Sequence, residues 1–191
     1  MSSTRQRKQD LRDQVLSKRE AYSLEEWQRK SDQILRLFLG LDEYKNAEVV
    51  HSYVSINERR EVCTDQLIEE LFQDDKKAVV PIVNFTDETL SHSVIHSLED
   101  LERNQWGVRE PKEPEFIGVS ELDIIIVPMA AADRSGNRLG YGKGFYDRFL
   151  QKANALKVGF VFDEFLFDEI PVEEFDVKLD VIITEEDLNF P

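Results

Sequence analysis

The residue types best suited to chemistry lie in one glycine-rich segment, residues 138–150, which reads RLGYGKGFYDRFL. Three glycines alternate with other residues there, and without a Cβ their backbone can adopt positive φ and approach a ligand closely. Backbone amides of this kind, next to the start of a helix, can bind phosphate. Arg138 and Lys143 add cations, and Asp147 can hold the magnesium ion that accompanies ATP. The segment therefore predicts a phosphate-binding loop.

The segment differs from the two common nucleotide-binding motifs. In a P-loop of the form GxxxxGK[ST] that ended at Lys143, the first glycine would fall on Asn137 and the hydroxyl residue on Gly144. In a dinucleotide-binding GxGxxG motif, the last glycine would fall on Phe145. Spacing alone therefore leaves an alternative open, which is a flexible turn between a strand and a helix with ordinary surface charges.

Other reactive side chains form no catalytic or metal-binding pattern. His92 and His96 are four residues apart, but the sequence HSVIH lacks the glutamate of the zinc-protease motif, so we interpret both as structural or exposed. Cys63 and Ser135 have no accompanying His and Asp pattern, which argues against covalent catalysis.

Hydrophobic spacing predicts the elements that position the glycine-rich segment. The apolar run of residues 122–127, ended by Pro128, is typical of a strand buried on both faces and indicates a parallel sheet covered by helices. Alternating helix-like and strand-like periodicity predicts an α/β architecture. Helices are predicted around residues 11–16, 23–40, 65–72 and 146–152, and strands at 47–54, 78–83, 122–127, 157–162 and 181–184.

Composition restricts the class of protein. The chain has 191 residues, 24 Lys plus Arg and 39 Asp plus Glu, giving a net charge of −15, which argues against nucleic acid or an anionic membrane as a partner. Cys63 is the only cysteine, so an intrachain disulfide is impossible. No apolar run has membrane-spanning length. We therefore expect one domain over residues 1–191, a monomer, and a cytoplasmic location.

At the glycine-rich segment the sequence resembles the 5-formyltetrahydrofolate cyclo-ligase family, also called methenyltetrahydrofolate synthetases, whose signature is a GxGKGxYD segment after a buried strand. Shorter stretches along the chain resemble the family as well. They are Lys8, Leu11 and Arg12 of a KxxLR stretch, residues 61–64 of an ExxT stretch, residues 106–111 of a W-G-x-x-E-P stretch, and Phe175, Asp176, Asp180, Thr184 and Glu185 near the end.

The resemblance implies a single three-layer α/β/α domain with a largely parallel central sheet. It also implies a reaction that consumes ATP, with Mg²⁺, to close 5-formyltetrahydrofolate to 5,10-methenyltetrahydrofolate through a phosphorylated formyl intermediate. Such chemistry depends mainly on positioning and charge neutralisation. Two alternatives stay open: a folate- or nucleotide-binding protein of the same fold without turnover, and an enzyme of similar fold acting on another phosphorylated small molecule.

The resemblance also assigns site residues. Lys143, next to the transferred phosphoryl group, and Arg138 are the expected catalytic residues. ATP would be bound by Lys8, Arg12, Arg138, Leu139, Gly140, Tyr141, Gly142, Lys143, Gly144, Phe145 and Tyr146. The folate would be bound by Ile56, Glu61, Trp106, Tyr141, Gly142, Lys143, Gly144 and Phe145. Asp147 and Asp176 would hold the metal ion.

The chain departs from the family pattern at a few positions. Phe175 stands where the family usually has a histidine, just before the second metal-binding aspartate. Ala132 and Phe165 stand where phenylalanine and glutamine are common, and we expect these differences to reshape the rim of the pocket. Phe145 replaces a frequent tyrosine and keeps its ring.

Overall fold

A computed structural model describes residues 3–191 as an α/β fold. The described residues form five α-helices: α1 (Thr4–Glu20), α2 (Leu24–Leu39), α3 (Asp42–Asn46), α4 (Asp65–Gln73) and α5 (Phe145–Leu150). The strands are β1 (Val49–Ser52), β2 (Lys77–Asn84), β3 (Thr89–Ile95), β4 (Leu101–Arg103), β5 (Arg109–Pro111), β6 (Glu115–Phe116), β7 (Ile124–Val127), β8 (Ala131–Asp133), β9 (Arg138–Leu139), β10 (Leu156–Phe160), β11 (Leu166–Phe167), β12 (Val181–Ile183) and β13 (Leu188–Asn189).

A sheet of eight strands forms the centre of the molecule, in the order β13-β12-β10-β7-β1-β2-β3-β6. The five strands from β12 to β2 pair in parallel, and the pairs at both edges are antiparallel. A small sheet β11-β8-β9 and the pair β4-β5 lie outside it. The predicted α/β class with a largely parallel central sheet and helices around it is confirmed.

The order of the parallel strands determines where a ligand site is expected. From β1 the chain crosses to β2 on one side, and the later strands β7, β10 and β12 are added on the other side. The carboxyl ends of β1 and β7 therefore diverge at a topological switch point. In open α/β sheets, ligands bind in the crevice at such a point.

The core follows the apolar pattern of the sequence. All four residues of β7 are buried, as expected for a central strand with both faces covered. The helix α2 begins after Ser23, whose hydroxyl accepts a hydrogen bond from the amide of Glu26 at 3.1 Å. It packs a stripe of buried residues that includes Ile34 and Phe38 against the core.

The sequence located the helices α1, α2, α4 and α5 and the five parallel strands, with shifts of a few residues at their ends. It missed the helix α3, the antiparallel strand β3, the edge strands β6 and β13, and the short strands of the smaller sheets. The strand β3 contains polar residues that include His92 and Ser93, which weaken its apolar signal although both are buried. Over residues 3–191, no helix is long and apolar enough to cross a membrane.

Candidate active site

A cavity of about 570 Å³ opens at the carboxyl ends of β1 and β7. Tyr53 and Val54, directly after β1, line one side, and Pro128, directly after β7, lines the other. Pro81 and Val83 of β2 add an apolar wall. The cavity thus lies at the topological switch point of the sheet, where the strand order predicts a ligand site.

The glycine-rich segment lines the cavity over residues 138–147. Gly142 has φ 89° and Gly144 has φ 69°, a conformation in which any other residue would be strained. A Cβ on Gly142 would lie 3.4 Å from the guanidinium of Arg12. Arg12 itself donates from Nε to the carbonyl oxygen of Gly140 at 2.8 Å. Glycine therefore lets this segment pass close under α1.

Two cations of the cavity, Lys8 and Arg138, are paired with carboxylates that also line it. Arg138 Nη2 lies 2.6 Å from Asp147 Oδ1. Lys8 Nζ lies 2.5 Å from Asp176 Oδ2 and 2.9 Å from Glu173 Oε2. Lys8 and Arg138 are both buried, and a buried charge without a partner is costly. In each case a neighbouring carboxylate balances the charge. An anionic ligand can replace these carboxylates as the partner of the cations.

Lys143 differs from the ion-paired cations Lys8 and Arg138. Its side chain is exposed at the cavity, and within residues 3–191 its ammonium takes part in no ion pair. Only its backbone oxygen is engaged, accepting a hydrogen bond from Arg148 Nη2 at 3.2 Å. The charge of Lys143 is therefore free to approach a ligand without breaking an existing contact.

Glu61 and Tyr141 line another part of the cavity and meet a buried arginine. Glu61 Oε2 accepts a hydrogen bond from the amide of Ile56 at 2.7 Å. Arg19 Nη1 donates to the hydroxyl of Tyr141 at 3.0 Å. Burial, together with the Glu61 carboxylate, raises the pKa of Tyr141, so its phenol stays protonated at neutral pH.

The carboxylates of the cavity suit a magnesium ion in combination with phosphate oxygens. Asp147, Asp176 and Glu173 all line the cavity, and the amide of Val177 lies 3.4 Å from Asp147 Oδ1, which brings the two aspartate segments together. In the part of the chain that the structure describes, no three His, Cys, Asp or Glu side chains converge as a complete metal-binding group. Mg²⁺ commonly uses one or two carboxylates with substrate phosphates and water, so this donor set fits a metal ion that arrives with a nucleotide.

The structure brings together all but one of the residues that the sequence assigned to the site. The residues that line the cavity are Lys8, Arg12, Ile56, Glu61, Arg138, Leu139, Gly140, Tyr141, Gly142, Lys143, Gly144, Phe145, Tyr146, Asp147 and Asp176. The sequence missed further lining residues, which include Arg5, Gln9, Arg109, Arg148 and Glu173. Arg5 and Gln9 are close in sequence to Lys8 and Arg12 on α1, which was the available signal.

Trp106 is the residue that lies apart from the cavity lining. Its side chain is exposed, and its ring centroid is 5.3 Å from that of Phe85 at the end of the hairpin β2–β3. The ring of Phe85 is in turn 6.0 Å from that of Phe145. Trp106 thus reaches the cavity only through two other rings, and its contact with a folate stays a prediction.

The departures from the family pattern fall in different places. Phe175 is exposed and lines the cavity beside Asp176. Ala132 and Phe165 are buried in the core, and Phe165 packs against Tyr22 with ring centroids 6.2 Å apart. The expectation that these two residues reshape the rim is therefore wrong, because both belong to the strand and turn packing behind the cavity.

Comparison with known proteins identifies the family. The model of the 5-formyltetrahydrofolate cyclo-ligase family matches residues 4–185. The 5-formyltetrahydrofolate cyclo-ligase of Escherichia coli strain K12 is 31% identical over 176 residues, which cover 89% of this chain and 96% of that protein. The chain belongs to the 5-formyltetrahydrofolate cyclo-ligase family.

Two further members of the cyclo-ligase family match over nearly the same length. The 5-formyltetrahydrofolate cyclo-ligase of Mus musculus is 28% identical over 192 residues, which cover 94% of both chains. The NMR structure of the 5,10-methenyltetrahydrofolate synthetase of Aquifex aeolicus superposes with a TM-score of 0.86 at 34% identity, covering 96% of this chain and 92% of that one. The predicted family and the prediction of an enzyme are confirmed.

Proposed function

We propose that the chain uses ATP and Mg²⁺ to convert 5-formyltetrahydrofolate to 5,10-methenyltetrahydrofolate, with release of ADP and phosphate. The observation that carries the proposal is the cavity at the switch point, which Lys8, Arg12, Arg138 and Lys143 line together with Glu61. Four cations suit a triphosphate, and a buried carboxylate suits the N–H groups of a pterin. Both substrates therefore have matching groups in one space.

The chemistry requires activation of the formyl oxygen, because an amide oxygen is a poor leaving group. In the proposed sequence this oxygen attacks the γ-phosphorus of ATP and ADP leaves, which gives a phosphorylated formyl group. N10 then attacks the formyl carbon, the bond from carbon to the phosphorylated oxygen breaks, and phosphate and the N10 proton depart. The product is the cyclic methenyl cation.

The residues of the cavity act mainly by holding charge. Lys143 neutralises the transferring phosphoryl group, and Arg138 exchanges its contact with Asp147 for phosphate oxygens. Asp147 and Asp176 would hold the magnesium ion, which when bound supplies charge neutralisation on the phosphates. The apolar wall of Pro81, Val83 and other residues keeps water away from the activated formyl group.

The absorbance of the methenyl product tests the proposal directly. Product should form only when 5-formyltetrahydrofolate, ATP and a divalent cation are all present, and phosphate release should match product formation. ATP turnover that proceeds equally without the folate would contradict the proposal. Binding of 5-formyltetrahydrofolate and Mg-ATP without product would instead indicate a binding protein of the same fold. Light scattering on the same sample would test the predicted monomer.

A further inference from the structure

Arg19 is a buried cation close to the cavity that the proposed chemistry leaves without a role. It lies near the end of α1, and its side chain is only 3% exposed. Among the described residues, those that line the cavity do not include Arg19. Arginine is seldom buried without specific partners, because taking its charge out of water is costly.

The guanidinium of Arg19 is directed at two loops that line the cavity. Its Nε donates to the carbonyl oxygen of Arg59 at 3.0 Å, and its Nη1 donates to the hydroxyl of Tyr141 at 3.0 Å. Nη1 also lies 3.4 Å from the carbonyl oxygen of Met129. Within residues 3–191, Nη2 makes no hydrogen bond, and it lies 4.0 Å from Glu61 Oε1.

The two carboxylate oxygens of Glu61 have different surroundings. Oε2 is occupied by the amide of Ile56 at 2.7 Å, whereas Oε1 faces the unpartnered Nη2 of Arg19. The guanidinium is therefore the nearest charge partner of a buried carboxylate, whose burial without such a partner would be costly. The same guanidinium holds Tyr141, a residue of the glycine-rich segment, so one side chain connects both loops.

We propose that Arg19 is a positioning residue of the folate subsite, which orients the Glu61 carboxylate and holds Tyr141 in place without touching the ligand. The inference rests on the proposed function, because it assumes that Glu61 accepts hydrogen bonds from pterin N–H groups. Its specific consequence is that Arg19 acts mainly on folate binding, through Glu61, so that loss of Arg19 lowers folate affinity much more than Mg-ATP affinity.

A purely structural role for Arg19, as a strut between α1 and the loops, makes a different prediction. Loss of a purely structural contact would lower the free energy of unfolding and weaken the binding of both substrates together. Loss of a positioning contact would weaken mainly the binding of the folate. The effect of replacing Arg19 on folate binding would then be smaller in a variant whose Glu61 is replaced by glutamine. A double-mutant cycle between Arg19 and Glu61 separates these two roles.

The experiment measures calorimetric binding of 5-formyltetrahydrofolate and of Mg-ATP to the full chain and to Arg19→Gln, Glu61→Gln and the double variant. Arg19→Gln should weaken folate binding about tenfold, as expected for a lost contact to a charged group. Mg-ATP binding should change by less than about twofold, and in the Glu61→Gln background the folate effect of Arg19→Gln should fall below about threefold.

Further variants keep the inference testable if Arg19→Gln folds poorly. Arg19→Lys retains the charge and should recover part of the folate affinity, with a raised KM for the folate and a nearly unchanged kcat. Lys18→Gln, on the exposed side of the same helix, is the matched control and should bind both substrates normally.

The outcomes distinguish the inference from the proposed function. Equal fold-changes of Arg19→Gln in both backgrounds, or equal losses for folate and Mg-ATP, would overturn the positioning role while the cyclo-ligase reaction stands. A wild-type chain that binds Mg-ATP but no 5-formyltetrahydrofolate would overturn both.

Discussion

Replacing Lys143 by methionine isolates the role of one charge in the cavity. The side chain is exposed and, over the described residues, in no ion pair, so the substitution keeps most of the stem and removes only the ammonium. The free energy of unfolding should change by less than about 0.5 kcal/mol, as for surface sites without special contacts. Loss of one positioned cation at a transferring phosphoryl group should cost about 3 kcal/mol of transition-state stabilisation, or on the order of a hundredfold in kcat.

Arg138→Met should lower turnover as well, but the structure adds a second effect that the sequence did not indicate. The Arg138 side chain is 3% exposed and lies 2.6 Å from Asp147. Removing one partner of a buried ion pair leaves the other charge uncompensated, which should lower the free energy of unfolding by about 3 kcal/mol. The two variants should therefore be similar in turnover and clearly different in stability.

The assay compares kcat at saturating substrates with the free energy of unfolding in denaturant for both variants and a control. Lys152→Met is the control, because Lys152 is an exposed residue just after α5 and outside the cavity. It should be nearly neutral in both measurements. Equal, small effects on kcat across all three folded variants would refute the reasoning, because the basic residues of the glycine-rich segment would then be only a solvated surface.

Three further predictions concern other parts of the molecule. Trp106→Ala should raise the KM for 5-formyltetrahydrofolate and leave that for ATP unchanged, whereas normal kinetics would remove Trp106 from the folate site. Burial lowers the pKa of His92 to about 4 from 6.5, so the stability that its neutral form contributes is fully present above pH 6.5 and is lost as pH falls toward 4. His92→Phe should therefore flatten the curve of unfolding free energy against pH between these values. An unchanged curve would show that His92 does not cause the slope. Ile126→Ala, at a fully buried position of β7, should lower the free energy of unfolding by about 2–5 kcal/mol in a denaturant titration, and a loss below that range would show that the core collapses around the shortened side chain.

The parts of the fold that the sequence predicted are those with strong local signals. The four apolar residues of β7 and the serine cap of α2 could be recognised without knowledge of their neighbours. The strand β3 could not be recognised in this way, because its buried residues include polar ones such as His92, whose ring packs on that of Phe149 with centroids 4.2 Å apart. Burial of that kind depends on tertiary contacts that a local pattern does not contain.

The candidate site was predictable where chemistry and sequence spacing coincide. The glycine-rich segment could be recognised from its residue types. Lys8 and Arg12 could be recognised because their spacing places them on one face of a helix. The pairing of Lys8 with Asp176 joins residues far apart in the chain, so no spacing rule could reveal it. Arg19 was missed because a basic residue in a charged helix gives no sign in the sequence that it is buried.

The attachment of α1 has a consequence for how the molecule opens. Val15 is the only apolar residue of this helix that is fully buried in the described structure, and the helix is held mainly by polar contacts from Lys8, Arg12 and Arg19. Segments with few buried apolar contacts detach at a lower free energy than the whole fold. The amides of α1 should therefore exchange with solvent hydrogen sooner than those of β7, and substrates that engage Lys8 and Arg12 would slow that exchange by holding the helix closed. In this enzyme, a helix that lines the cavity is thus held to the fold with few fully buried apolar side chains.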